Sequence, residues 1–130
     1  MTHISGKIET GQGIGAGFTR TDWALGVFRD SYGIDPFPGT LNVRVDAASI
    51  AAWQDAAAHG QLFKAPDPTW CDARCLRAKI LHQTHFAAVV IVLPLVENYP
   101  QDQIELVAGM NLREWLEARD GDAVSLDLKF

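Results

Sequence analysis

The run "FAAVVIVLPLV", Phe86 to Val96, limits what this chain can become more than any other stretch. It is too short for a bilayer-spanning helix, which needs about 20 apolar residues, and Pro94 interrupts it. A short apolar run rich in valine predicts instead a strand buried on both faces. "CLRAKILH" just before it predicts a second strand. His3 to Glu9 alternates loosely, and Thr40 to Val45, "QIELVAG" and "AVSLDLKF" alternate with period two, so all four are predicted strands.

Three short helices are predicted between them. "TRTDWALGVFRDSYG" carries Leu25, Phe28 and Tyr32 on one stripe, with Thr21 as N-cap and Gly33 as stop. "DAASIAAWQDAAAHG" has Asp46 as cap, a stripe of Ile50, Trp53 and Ala57, and Gly60 as stop. "NLREWLEARDG" is capped by Asn111 and turns Leu112, Trp115 and Leu116 inward. Gln61 to Asp72, with Pro66 and Pro68, predicts loop. About six strands and three short helices without regular alternation argue against a doubly wound sheet. They predict a mainly β chain: a small six-stranded barrel with helical insertions, residues 1–130 forming one domain.

Hydrophobic residues make up 48% of the chain and charged residues 21%, a balance that belongs to folded proteins. The formal net charge is -5 with no Lys/Arg run, which disfavours holding duplex nucleic acid by phosphate neutralisation. A small phosphorylated ligand could still meet local basic residues. "MTHISGKIETG" has no apolar h-region, so a cytoplasmic location with no membrane partner is expected. Two cysteines do not make a disulfide framework.

Several stretches suggest chemistry. "GQGIGAG" spaces Gly11, Gly13, Gly15 and Gly17 with Gln12, Ile14 and Ala16 between them, which lets backbone N–H groups converge on a phosphate. It matches neither the P-loop nor the dinucleotide fingerprint, and suits a simple connection as well. In "PFPGTLNVRV", two prolines and a glycine fix a turn, and Thr40 and Asn42 then share one strand face. Two neutral oxygens there suit magnesium when a nucleotide brings the charge, and equally suit ordinary surface residues. Cys71, Cys75, His82 and His85 offer zinc-type donors, but the intervening segment reads as a strand with little room to fold back, so no zinc is expected. Glu105 lies between Ile104 and Leu106 and points to the other face. There it is either a ligand-facing acceptor or base, or a solvated strand carboxylate. Asn111 at a helix start, with Arg113 close behind, suits an anion or simply a helix cap.

Four stretches, "TGQGIGAGF", "PFPGTLNVRV", "YPQDQIELVAG" and "NLREWLEARDGDAVSL", occur together in this order and cover nearly the whole chain. In this the chain resembles the archaeal-type CTP-dependent riboflavin kinases, a cradle-loop (RIFT-related) barrel family. The resemblance implies a phosphotransferase that uses CTP and Mg2+ to convert riboflavin to FMN. It implies a nucleotide site at Gly11, Gln12, Gly13, Ile14, Gly15, Ala16, Met110, Asn111, Leu112 and Arg113. It implies magnesium at Thr40 and Asn42, and a flavin side at Glu97 and Glu105, with Glu105 catalytic. Where family members usually carry an Arg-Thr pair before Tyr-Pro, this chain has Val96 and Glu97, and a carboxylate beside a product phosphate repels it. The loop also carries Ile14 where an acidic or polar residue is usual. A non-catalytic nucleotide- or flavin-binding module, or a kinase with another small-molecule acceptor, is the alternative. A DNA-binding relative is disfavoured by the acidic charge.

Overall fold

The computed structural model describes residues 2–10 and 21–129. Seven strands are present among them: β1 (Thr2–Glu9), β2 (Leu41–Val45), β3 (Gln61–Phe63), β4 (Ala73–His82), β5 (His85–Pro94), β6 (Gln103–Val107) and β7 (Ala123–Lys129). All pairings are antiparallel. They run β4-β5-β6-β2-β1-β7, and β7 returns to β4, so six strands close into a ring. This is the barrel-like, mainly β architecture expected. The short β3 adds to the start of β4, on residues 73–75, where β7 does not reach. It falls in the segment predicted as loop. The prolines that suggested loop, Pro66 and Pro68, lie just beyond it.

Period-two alternation decides which side chains fill the ring. Ile4, Ile8, Val43, Ile80, Ile91, Ile104, Leu106, Leu126 and Leu128 meet inside and are almost wholly buried. Helix α2 (Ile50–Ala57) inserts Trp53 and Ala56 into this core. The short helix α3 (Leu112–Leu116) adds Leu112 and Leu116 to it. Helix α1 (Asp22–Tyr32) instead covers the outer face of β4, β5 and β6. Its Ala24, Phe28 and Tyr32 pack on Ala73, Cys75, Val90, Val92 and Val107. The second half of β5 is therefore buried on both faces, as its composition predicts.

The helix ends follow their chemistry in part. The Thr21 side chain accepts from the Ala24 N–H, and Gly33 closes α1 in the left-handed region, φ 68°. The buried stripe runs through Ala24 rather than Leu25, because the sheet is met at i, i+4, i+8. Asp46 precedes a 3-10 turn, Ala47–Ser49, and makes no side-chain cap bond. Its carbonyl accepts from the Ser49 N–H at 2.8 Å. Trp115, expected inward, is 54% exposed. Its indole N–H donates to the Phe86 carbonyl at 2.9 Å, lying across the end of β5 rather than entering the core.

Candidate active site

The outer face of the ring carries a buried polar row. Across β1, β2, β6 and β5 the register sets Glu9, Asn42, Glu105 and Val92 side by side. The same row continues to Cys75 on β4. Its far end lies under α1 and is apolar. Its near end holds the carboxyl of Glu105 and the amide of Asn42.

The turn ahead of β2 brings Thr40 to this row. Gly39 takes φ 99°, a conformation that side chains with a Cβ rarely adopt. The Phe37 N–H donates to the Ala108 carbonyl at 2.8 Å, which ties the turn to the end of β6. The Thr40 hydroxyl then donates to Glu105 Oε1 at 3.0 Å. From the other side, the Tyr99 hydroxyl donates to Glu105 Oε2 at 2.5 Å. Glu105 is 0% exposed. It is not the solvated strand carboxylate that stood as one reading: Thr40 and Tyr99, both outside the strands, bond it from two sides. Burial, then the hydrogen bond to Glu105, pushes the Tyr99 phenol well above its ordinary value.

Asn42 is also buried, and its Oδ1 accepts from Gln103 Nε2 at 3.2 Å. It is therefore not an ordinary surface residue. The donor set fits a hard cation balanced by phosphate. Thr40 gives its proton to Glu105 and keeps its oxygen lone pairs, and Asn42 Oδ1 has a second lone pair beyond the Gln103 bond.

A cleft of about 190 Å³ opens beside Thr40. The Pro38–Gly39–Thr40 turn forms one wall and Met110, Asn111, Leu112 and Arg113 the other. Thr40 and the residues opening α3 thus share one cleft, though far apart in sequence. Asn111 acts as a cap, its side chain accepting from the Glu114 N–H at 3.3 Å. Leu112 is mostly committed to the core. Arg113 donates to Asp120 Oδ1 at 2.7 Å and to the Glu9 carbonyl at 3.4 Å. The Thr10 hydroxyl also donates to Asp120, at 2.6 Å. That hydroxyl, then the Arg113 guanidinium, holds the Asp120 carboxyl below the usual carboxylate range. This network anchors the chain at residue 10, where the glycine stretch begins. Gly11, Gln12, Gly13, Ile14, Gly15 and Ala16 lie outside the described residues.

Glu97 is exposed on the loop between β5 and β6, two residues before Tyr99, and lines neither the cleft nor the row around Glu105. The four zinc-type donors do not converge. Cys75 and His82 lie seven positions apart along β4, about 23 Å at the usual rise. His82 Nδ1 donates to the Leu116 carbonyl at 2.7 Å, while Cys75 packs beneath α1. No group of three His, Cys, Asp or Glu side chains able to hold a metal occurs among the described residues. Nor is any described helix long and apolar enough to cross a membrane.

Sequence reading missed Tyr99 and Gln103. The signal was a carboxylate inside "QIELV", a strand whose five residues are all buried. Such a group needs donors, and a tyrosine six residues earlier is one.

Residues 8–128 match the family CTP-dep_RFKase, described as "Domain of unknown function DUF120". The chain is 36% identical over 126 residues to a protein of Methanocella arvoryzae named "Riboflavin kinase", covering 97% of this chain and 56% of that one. It is 34% identical over 129 residues to the "Riboflavin kinase" of Methanoculleus marisnigri, again 56% of that protein. The "Riboflavin kinase" of Methanothermobacter thermautotrophicus is 34% identical over 121 residues, 93% of this chain and 94% of that one. The chain thus spans about half the length of the first two relatives and nearly all of the third.

Proposed function

We propose that this chain, which belongs to the CTP-dep_RFKase family, transfers the γ-phosphate of CTP to the 5′-hydroxyl of riboflavin and gives FMN and CDP. The hydroxyl oxygen forms a bond to the γ-phosphorus, the bond from that phosphorus to the β,γ-bridging oxygen breaks, and the hydroxyl proton is released. Such transfer rests mainly on positioning and charge stabilisation.

The observation that carries this reading is the buried Glu105, bonded to Thr40 beside the cleft that also holds Arg113. Glu105 receives and orients the acceptor hydroxyl. Arg113 and the opening of α3 meet the nucleotide, and the resemblance adds residues 11–16 to its site. Thr40 and Asn42 would hold Mg2+, which when bound supplies positive charge to the phosphates. The relatives named riboflavin kinase support the acceptor assignment.

FMN formation measured with CTP and with ATP, in magnesium, tests it. FMN appearing faster with CTP is the expected result. CTP binding without FMN from any nucleotide would favour the second reading, a nucleotide-binding module without turnover. The observation on that side is Glu97, a carboxylate on the acceptor-side loop close to Tyr99.

A further inference from the structure

We infer that Tyr99 is a positioning residue for Glu105: its hydroxyl fixes the carboxyl, and the same residue lines a separate cleft. The inference rests on the phosphotransfer reading above. Tyr99 and Thr40 each take one oxygen of Glu105, so the carboxyl is held in one plane before any acceptor arrives. That is the preorganisation a group receiving a hydroxyl needs.

The loop is shaped to deliver this side chain. Asn98 sits at φ 64°, a left-handed conformation that asparagine tolerates better than most residues. The Tyr99 N–H then donates to the Val96 carbonyl at 3.2 Å. This tight turn sends Tyr99 inward while Val96, Glu97 and Asn98 stay exposed. The ring also lines a largely apolar cleft of about 280 Å³ with Trp53, Leu93, Val96 and Pro100. One residue therefore both bonds the carboxyl and lines this cleft. The phenol stays protonated through the neutral range, so it remains a donor to Glu105 while the reaction runs.

Two variants separate hydroxyl from ring. Tyr99→Phe keeps the ring and removes the donor. It should lower kcat for FMN formation about tenfold, with the riboflavin KM and CTP affinity within about threefold of native. Tyr99→Ala should lower kcat similarly and also raise the riboflavin KM. Rates are referred to the CTP-binding stoichiometry, so that unfolded protein does not count, and both variants are also made with Glu97→Thr. Tyr99→Phe with native kcat, in protein that forms FMN, overturns this inference and leaves the phosphotransfer reading standing. A change in KM and CTP affinity as large as that in kcat overturns it too, because it marks a purely structural tyrosine. Native and Glu97→Thr proteins that both make no FMN from any nucleotide overturn the reading and the inference together.

Discussion

Asn42 and Glu105 face each other across β2 and β6 as register partners, yet their side chains bond residues other than each other. Asn42 bonds Gln103, and Glu105 bonds Thr40 and Tyr99. Two buried polar groups on neighbouring strands are thus each satisfied by a different part of the chain. A change at either residue leaves buried or half-buried partners without that bond.

Asn42→Ala follows from this. The Gln103 amide would lose the Asn42 acceptor in a buried setting, so stability should fall by about 1–2 kcal/mol. Period two alone, which turns Asn42 away from Leu41 and Val43, predicts almost no loss, and burial corrects that. The same variant should weaken CTP binding in magnesium more than in chelator. Calorimetric titration in both buffers checks the second effect, and equal affinities for native and variant in both would refute the metal role of Asn42.

Alkaline pH should destabilise the fold through a thiol beneath α1 and a phenol at its end. Burial pushes the Cys75 thiol up to about 12 from an ordinary 9.0. Burial, with the nearby Cys75, pushes the Tyr32 phenol up to about 12 from 10.0. The unfolded chain releases these protons first, so above pH 9 it binds fewer than the folded chain. Stability is then complete below about pH 9 and declines as pH rises toward 12. Cys75 alone sets a slope of up to about 1.4 kcal/mol per pH unit. Tm measured from pH 8 to 11 should fall more gently in Cys75→Ala than in native protein. Parallel curves would show that the thiol titrates normally.

Much of this was readable along the chain, because alternation and capping are local. The faces of β2, β6 and β7 follow from period two, and α1 ends where Thr21 and Gly33 say it should. What covers a face is not local. Nothing near Glu105 announces that the Pro-Gly-Thr turn and Tyr99 close over it. Trp115 sits at a core-compatible helical spacing, but α3 is only five residues long and turns that side to the edge of β5. β3 was hidden for a related reason: a three-residue strand is shorter than any period can show, and only the free edge of β4 explains it.

Arg113→Ala should weaken CTP binding about tenfold, as expected for the loss of a charge-assisted contact to phosphate. The fold should survive, since Arg113 bonds the exposed Asp120 and one strand-end carbonyl. The native affinity should also drop as salt rises, and that dependence should be shallower in the variant. Binding isotherms at low and high salt measure both. An unchanged affinity would remove Arg113 from the nucleotide site.

Glu97→Thr probes the acceptor side. Glu97 is exposed on the loop that carries Tyr99, so its substitution disturbs no core contact and stability should hold within about 0.5 kcal/mol. The family resemblance puts this position on the flavin side, where a carboxylate close to a product phosphate would repel it. Threonine removes that charge and supplies a hydroxyl donor. Relief of repulsion acts on the developing phosphate in the transition state as well as on FMN, so turnover should rise rather than affinity alone. We expect weak FMN formation by the native chain and an increase of about tenfold in Glu97→Thr, with CTP affinity unchanged. Steady-state rates with riboflavin and CTP decide it. Fast native turnover that the substitution leaves as it was would show that Glu97 lies too far from the reacting phosphate to matter.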